Sequence, residues 1–320
     1  LHGMSEDELI RSLRERFVNV PSVGAEYTSI SVMDMLRDAL PLTVEAKGKD
    51  VISQSEAMYV NLLAAGLRAA EGSPVREYVD AAMTSASKIL ECANDDGGFS
   101  WFEGMKSSPI VTAVVLERFA GLRDRKLLNL VSEELGEDAL DTFDEAVISA
   151  VRYMDSVYFG DPDRPVWYGC ISLWQYLNVR SMYVGVSFDE QAARKDMGTK
   201  EYNEFKKAVK SYLVPRKGER WSEGAILSKV RMIRVIDALI GSEQGITLAK
   251  AWGVSSDRKL RKSMKTELES LKEYAVEHPS GGIYYPNAVL PWRGLLESEA
   301  YAHAMICDLF RDLSSSAEIG

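Results

Sequence analysis

The chain has 320 residues, enough to bury a sizeable core as one large domain or two small ones. Apolar residues make up 46% and charged residues 27%, the balance of a folded globular chain rather than a disordered or fibrous one. A formal charge of −10 is spread along the sequence, with no basic stripe interleaved with aromatics and no apolar run of membrane-spanning length, so neither nucleic acid binding nor membrane insertion by this segment is expected.

Apolar residues recur at helical spacing almost throughout, without a set of alternating strands ended by hairpin turns, and the expected class is all-α. In chain order the spacing predicts helices at 5–16, 29–39, 54–70, 76–92, 109–123, 127–135, 138–155, 169–184, 200–213, 222–240, 244–252, 256–277 and 295–312. These are of two kinds. In 256–277, Leu260, Met264, Leu268, Leu271 and Tyr274 form one apolar stripe among Arg258, Lys259, Lys262, Lys265 and Glu269. In 109–123 and 295–312 nearly every side is apolar, through Ile110, Val111, Val115, Leu116 and Phe119 in the first and Leu295, Leu296, Ala300, Ala304 and Ile306 in the second. One-faced and all-round apolar helices joined by short turns suit two concentric layers with the apolar helices inside. That is an α/α toroid of about six helical hairpins, terpenoid-cyclase-like in layout.

A weak repeat supports stacking units. Asp96-Gly97-Gly98-Phe99-Ser100-Trp101-Phe102 leads through Pro109 into an apolar helix, and Ser280-Gly281-Gly282-Ile283-Tyr284-Tyr285 leads through Pro291-Trp292 into another. The simplest reading is a turn in which glycine adopts backbone angles closed to other residues, followed by aromatics that pack over helix ends.

Signatures of chemistry are sparse. GxSxG, GxxxxGK[ST] and a GxGxxG between strand and helix are absent, as are DDxxD and DxDD. Of His2, His278 and His303 none belongs to an HExxH pair, and His303, four residues before Cys307, reads as a satisfied core histidine. Asp161-Pro162-Asp163-Arg164-Pro165 reads as a rigid surface turn rather than a cation site. Cys92, Cys170 and Cys307 are widely spaced, allow at most one disulfide, and sit in apolar settings that favour the core. The remaining alternative is a glycosidase-type pair drawn from Asp95, Asp96, Glu103, Glu297 and Glu299, with Trp101, Tyr284, Tyr285 and Trp292 as sugar platforms. Solvated or capping roles suit these carboxylates better, because Asp95-Asp96-Gly97-Gly98 is a turn sequence and Glu297 and Glu299 point in different directions on a helix.

Asp96–Gly104, continuing as Ser107–Glu117, resembles the glycine/aromatic turn and helix in the thioester-type domain of bacterial alpha-2-macroglobulins. Gly282–Tyr285 followed by Glu297–Ala302 is similar to the segment that closes the toroid in that family. Trp174–Leu177 with Arg180-Ser181, and Trp221–Gly224, resemble it loosely, and the likeness covers roughly residues 50–312. The family's thioester joins a cysteine to a glutamine three residues later, and that cysteine is the leaving thiolate when a nucleophile attacks. Here Asp95, Leu173 and Phe310 stand at that distance after Cys92, Cys170 and Cys307. Aligning Tyr59-Val60-Asn61 with the helix after the thioester puts the reactive pair near Asp50 and Ser53, where Asp50-Val51-Ile52-Ser53 offers neither partner.

The resemblance implies a helical lead-in at 1–49, a thioester-less toroid at 50–312 and a tail at 313–320. Leu1-His2-Gly3-Met4 lacks the basic and apolar regions of a signal peptide, and the chain reads as an interior piece of a larger protein. The implied parent is a multidomain bacterial protein in the periplasm or cell envelope, with other domains of the parent and a target protease as partners. The expected role is a non-covalent protease trap with no catalytic residues, cofactor or metal. The alternatives are a carbohydrate-active toroid enzyme, a terpenoid-cyclase or prenyltransferase-like enzyme, and a purely structural scaffold.

Overall fold

The computed structural model describes residue 11 and residues 43–160, 171–214, 226–254, 257–277, 282–289 and 297–315. The expected helices at 5–16 and 29–39, the proline turn at 161–165, Cys170, Trp221–Gly224, His278, Trp292 and most of the 280–292 repeat lie outside these residues, apart from Arg11.

The chain is all-α, with twelve α-helices among the described residues. The first, α1 (Val51–Ala70), begins three residues earlier than the apolar spacing predicts because Asp50 caps it, its carboxylate accepting from the Ser53 backbone N–H at 2.9 Å. Its apolar stripe, including Val51, Met58, Leu62 and Ala65, is buried, and the helix packs on α2 (Arg76–Leu90). Next, α3 (Pro109–Asp124) starts behind a Ser108 cap with proline at its first position, where a missing N–H costs nothing. It packs against α1, α5 and α6, which accounts for buried residues on nearly every side of it.

A short α4 (Asn129–Leu135) and a 3₁₀ turn at Glu137–Leu140 lead into α5 (Asp141–Gly160). Then come α6 (Leu173–Ser181), opened by a Ser172/Gln175 capping box, and α7 (Glu190–Met197), which the apolar spacing does not predict. Only Ala193 is buried in α7, so it is made by its Asp189 cap and by packing on α5 rather than by an apolar stripe. Gly198, at φ +91°, separates α7 from α8 (Thr199–Leu213).

Nearly all of α9 (Ile226–Ile240) is buried, with α6, α10 (Glu243–Ala251), α11 (Asp257–Glu273) and α12 (Glu299–Ser315) packed on it. The end of the predicted 256–277 helix is instead a strand, β1 (Val276–Glu277), paired antiparallel with β2 (Ile283–Tyr284). The α11 stripe is as expected at Leu260, Met264, Leu268 and Leu271, but Tyr274 is exposed. Glu267 on that helix is buried, pairing with Lys229 at 2.9 Å.

Two further expectations need correction. On α12, Ala300, Ala304 and Cys307 are exposed while Ala302, Ile306, Leu309 and Leu313 are buried, so this helix is one-faced and Cys307 is not a core residue. Small residues gave the helix an all-round apolar appearance that the packing does not use.

Contacts link α1 to α3, α3 to α6, α6 to α9 and α9 to α12. The helices between them in sequence pack on this series: α2 on α1, α5 on α3 and α6, and α10 and α11 on α9. A cluster of Tyr158, Phe159, Tyr176, Phe205 and Trp252 joins α5, α6, α8 and the end of α10. Tyr158 stacks on Tyr176 at 4.1 Å, a pair worth about 0.5–1.5 kcal/mol beyond its buried area.

Candidate functional site

The described helices meet along a polar seam. Glu56 on α1 pairs with Arg118 on α3 at 2.7 Å. The neighbouring Glu117 accepts a hydrogen bond from the Tyr301 hydroxyl of α12, and the Arg118 guanidinium lies 5.5 Å from the Tyr301 ring centre. The Arg231 guanidinium of α9 lies 5.9 Å from the same ring and 5.4 Å from that of Trp174 on α6. It donates to Glu297, just before α12. A second set of charges ties α12 on through Arg125 to Asp308 and Arg234 to Asp312.

The seam borders a cavity of about 40 Å³ lined by Glu117, Trp174, Gln175, Asn178, Arg231, Glu297 and an apolar wall of Ile110, Ala113, Val114, Ile171 and Val179. That volume holds a few waters and is far below the roughly 300–1,000 Å³ of a site that encloses a drug-sized ligand. Asn178 and Arg231 are 4% and 7% exposed, yet the Asn178 Oδ1 and Arg231 Nε have no hydrogen-bond partner.

The carboxylates singled out by sequence are not assembled into one site. Asp96 is exposed and closes the glycine turn on itself, accepting from the Gly98 N–H at 2.9 Å and the Ser107 hydroxyl at 2.6 Å. Asp95 and Glu299 are exposed. Glu103 borders a different cleft, of about 750 Å³, between residues 43–49 and α2, with Lys49, Lys88, Cys92 and Phe102. Of the five carboxylates only Glu297 lines the small cavity, beside Glu117, which the sequence reading passed over as a residue of an apolar helix.

The proposed platforms separate likewise: Trp101 is partly buried against the core, Tyr285 is buried and Tyr284 is exposed. His303 is half-buried and satisfied, its Nε2 accepting from the Tyr285 N–H at 3.0 Å while Nδ1 faces the Glu299 carbonyl at 2.8 Å. One neutral tautomer serves both contacts.

The glycine/aromatic turn is itself closely bonded. Gly97 adopts φ +86°, and a β-carbon on Gly98 would stand 2.6 Å from Ser107 Cβ and 2.7 Å from the Tyr153 ring. The Phe99 N–H donates to Thr112 Oγ1, the Ser100 hydroxyl to the Cys92 and Phe102 carbonyls, and the Val51 N–H to the Trp101 carbonyl. The turn thus joins the start of α1, the end of α2 and the start of α3. Buried beneath it, Cys92 has its thiol pKa raised by desolvation, the opposite of an activated nucleophile.

A second buried charge cluster escaped the sequence reading. Arg180, 1% exposed, donates to both Asp155 oxygens at 3.0 and 3.1 Å and to the carbonyls of Tyr183 at 2.7 Å and Val186 at 2.8 Å. Burial pushes the Asp155 carboxyl pKa up despite Arg180 and a 2.7 Å hydrogen bond from the Tyr176 hydroxyl. Every Arg180 contact runs to the chain itself, and the cluster anchors α5, α6 and the loop after α6. Only the spacing of Asp155, Tyr176 and Arg180 signals it in the sequence, and that spacing is not distinctive.

No family model, curated protein or solved structure matches the chain.

Proposed function

We propose that the chain is an α/α toroid of an alpha-2-macroglobulin-like protein, acting in non-covalent protease restraint as a packing and interaction module rather than as an enzyme. The toroid reading is supported by the run of neighbours α1, α3, α6, α9 and α12, with the intervening helices packed on them and Tyr301 and Asp308 linking α12 back to α3. The non-catalytic reading rests on the centre where these helices meet, about 40 Å³ of space crossed by the Arg231–Glu297 and Glu117–Tyr301 contacts. A glycosidase needs two carboxyl groups about 5–10 Å apart across a pocket that admits a sugar ring, and such a ring exceeds this volume.

Covalent capture lacks its chemical groups here, since no cysteine is followed by glutamine at the third position. Restraint would then be steric: the protease cuts a segment elsewhere in the parent protein, the domains rearrange, and the toroid changes neighbours. The cell envelope or periplasm is the compartment that suits this role.

The test uses the natural protein that carries this sequence, treated with trypsin. Cleavage of a large protein substrate is compared with cleavage of a small chromogenic peptide, with and without prior methylamine. The expected result is suppression of the large-substrate activity alone, insensitive to methylamine. Equal activity on both substrates overturns the trap; loss of trapping after methylamine overturns its non-covalent character.

A further inference from the structure

We propose that the small cavity between α3, α6 and α9 receives a carboxamide, a neutral group that presents an N–H and a C=O together. Among the described residues, four buried side-chain polar atoms lack a hydrogen-bond partner, and two of them, Asn178 Oδ1 and Arg231 Nε, belong to residues lining this one cavity. Buried polar atoms are almost always paired, so two orphans at one opening mark a place built for a guest.

Their chemistry selects the guest. Asn178 Oδ1 requires a donor and Arg231 Nε requires an acceptor. A carboxylate offers no donor and would meet Glu117 and Glu297, while a cation would meet the Arg231 guanidinium. A neutral amide satisfies both, and a methyl group on it would lie on the wall of Ile110, Val114 and Ile171. The volume of about 40 Å³ suits one amide group and little more.

The chain already shows this mode of recognition once. Asn61, fully buried on α1, takes the N–H of Val44 on its Oδ1 and donates from Nδ2 to the Val44 carbonyl, both at 2.9 Å. Asn178 is the same residue type, also buried on a helix, with its oxygen unclaimed. The amide could come from a primary carboxamide or from a peptide backbone. The inference stands apart from the protease-trap reading.

The test is an NMR titration of the 320-residue chain, following the Asn178 side-chain amide signals with acetamide, N-methylacetamide and acetate. Saturable shifts with an amide and none with acetate are expected. Saturation by acetamide alone assigns a primary carboxamide, and saturation by N-methylacetamide as well assigns a peptide group. Asn178→Leu removes both hydrogen-bonding groups and Asn178→Asp keeps the shape while losing the donor; each should weaken amide binding by about tenfold or more, read from an Ile171 or Val179 methyl signal. Strictly linear shifts, saturation by acetate as strong as by acetamide, or undiminished binding in the variants that fold would overturn the proposal and leave a cavity filled by solvent.

Discussion

Replacing Arg180 with methionine keeps much of the aliphatic bulk but deletes a guanidinium whose donors reach Asp155, Tyr183 and Val186. The carboxylate of Asp155 then lies in a dry setting with only the Tyr176 hydroxyl as partner. Removing one member of a buried ion pair costs about 3–5 kcal/mol, and two carbonyls stripped of donors add about 1–3 kcal/mol each where water cannot reach them. Methionine packing and water entry offset part of this, leaving an expected loss of about 5 kcal/mol, a large share of the roughly 5–15 kcal/mol that holds a domain together. Urea unfolding followed by far-UV circular dichroism reads the loss as a lower midpoint.

Adding Asp155→Asn to Arg180→Met removes the orphaned charge, keeps a partner for Tyr176, and should recover about 2 kcal/mol. The pH dependence has a definite sign. Burial raises the Asp155 pKa in the folded state, and losing Arg180 raises it further, so the associated stability is present below about pH 4 and is lost as pH rises through the folded value. The single variant should therefore be closest to the parent near pH 4 and furthest from it at pH 7. A loss under about 1 kcal/mol, or a double variant no more stable than the single one, would refute the reasoning.

Asp50→Ala should cost about 1 kcal/mol by uncapping α1. Burial tends to raise the Asp50 pKa, but hydrogen bonds from the Ser53 N–H and hydroxyl leave it lowered, so the cap's contribution is present at neutral pH and fades as pH falls below about 4; Asp50→Asn should lose that dependence in urea titrations at pH 3 and pH 7. Gly98→Ala places a β-carbon against Ser107 and Tyr153 and should cost about 1–3 kcal/mol, seen as a lower melting temperature. Lys229→Met leaves Glu267 buried without its cation and should cost about 3–5 kcal/mol, whereas Lys229→Met with Glu267→Leu should be near neutral; equal losses in both would show that the pair is not what matters.

The helical class was legible because burial of a stripe leaves a period of 3.6 residues, as in Leu260, Met264, Leu268 and Leu271. The start of α3 was legible from Ser108-Pro109, and the special backbone at Gly97 from the glycine pair before aromatics. Helix α7 was not, since one buried alanine leaves no periodic signal. Nor was the true face of α12, because alanine tolerates water as readily as a core.

Sequence by itself determined the all-α class, the closed glycine turn and the absence of a cysteine–glutamine pair, all of which depend on neighbours within a few residues. Only the tertiary structure decided which charges are buried. It joined Glu117 to Tyr301 across 184 positions and Arg231 to Glu297 across 66, and left Asn178 and Arg231 facing one cavity. A charged side chain looks the same in a sequence whether water or another helix faces it, and the cost of removing that water is set by partners that folding brings together.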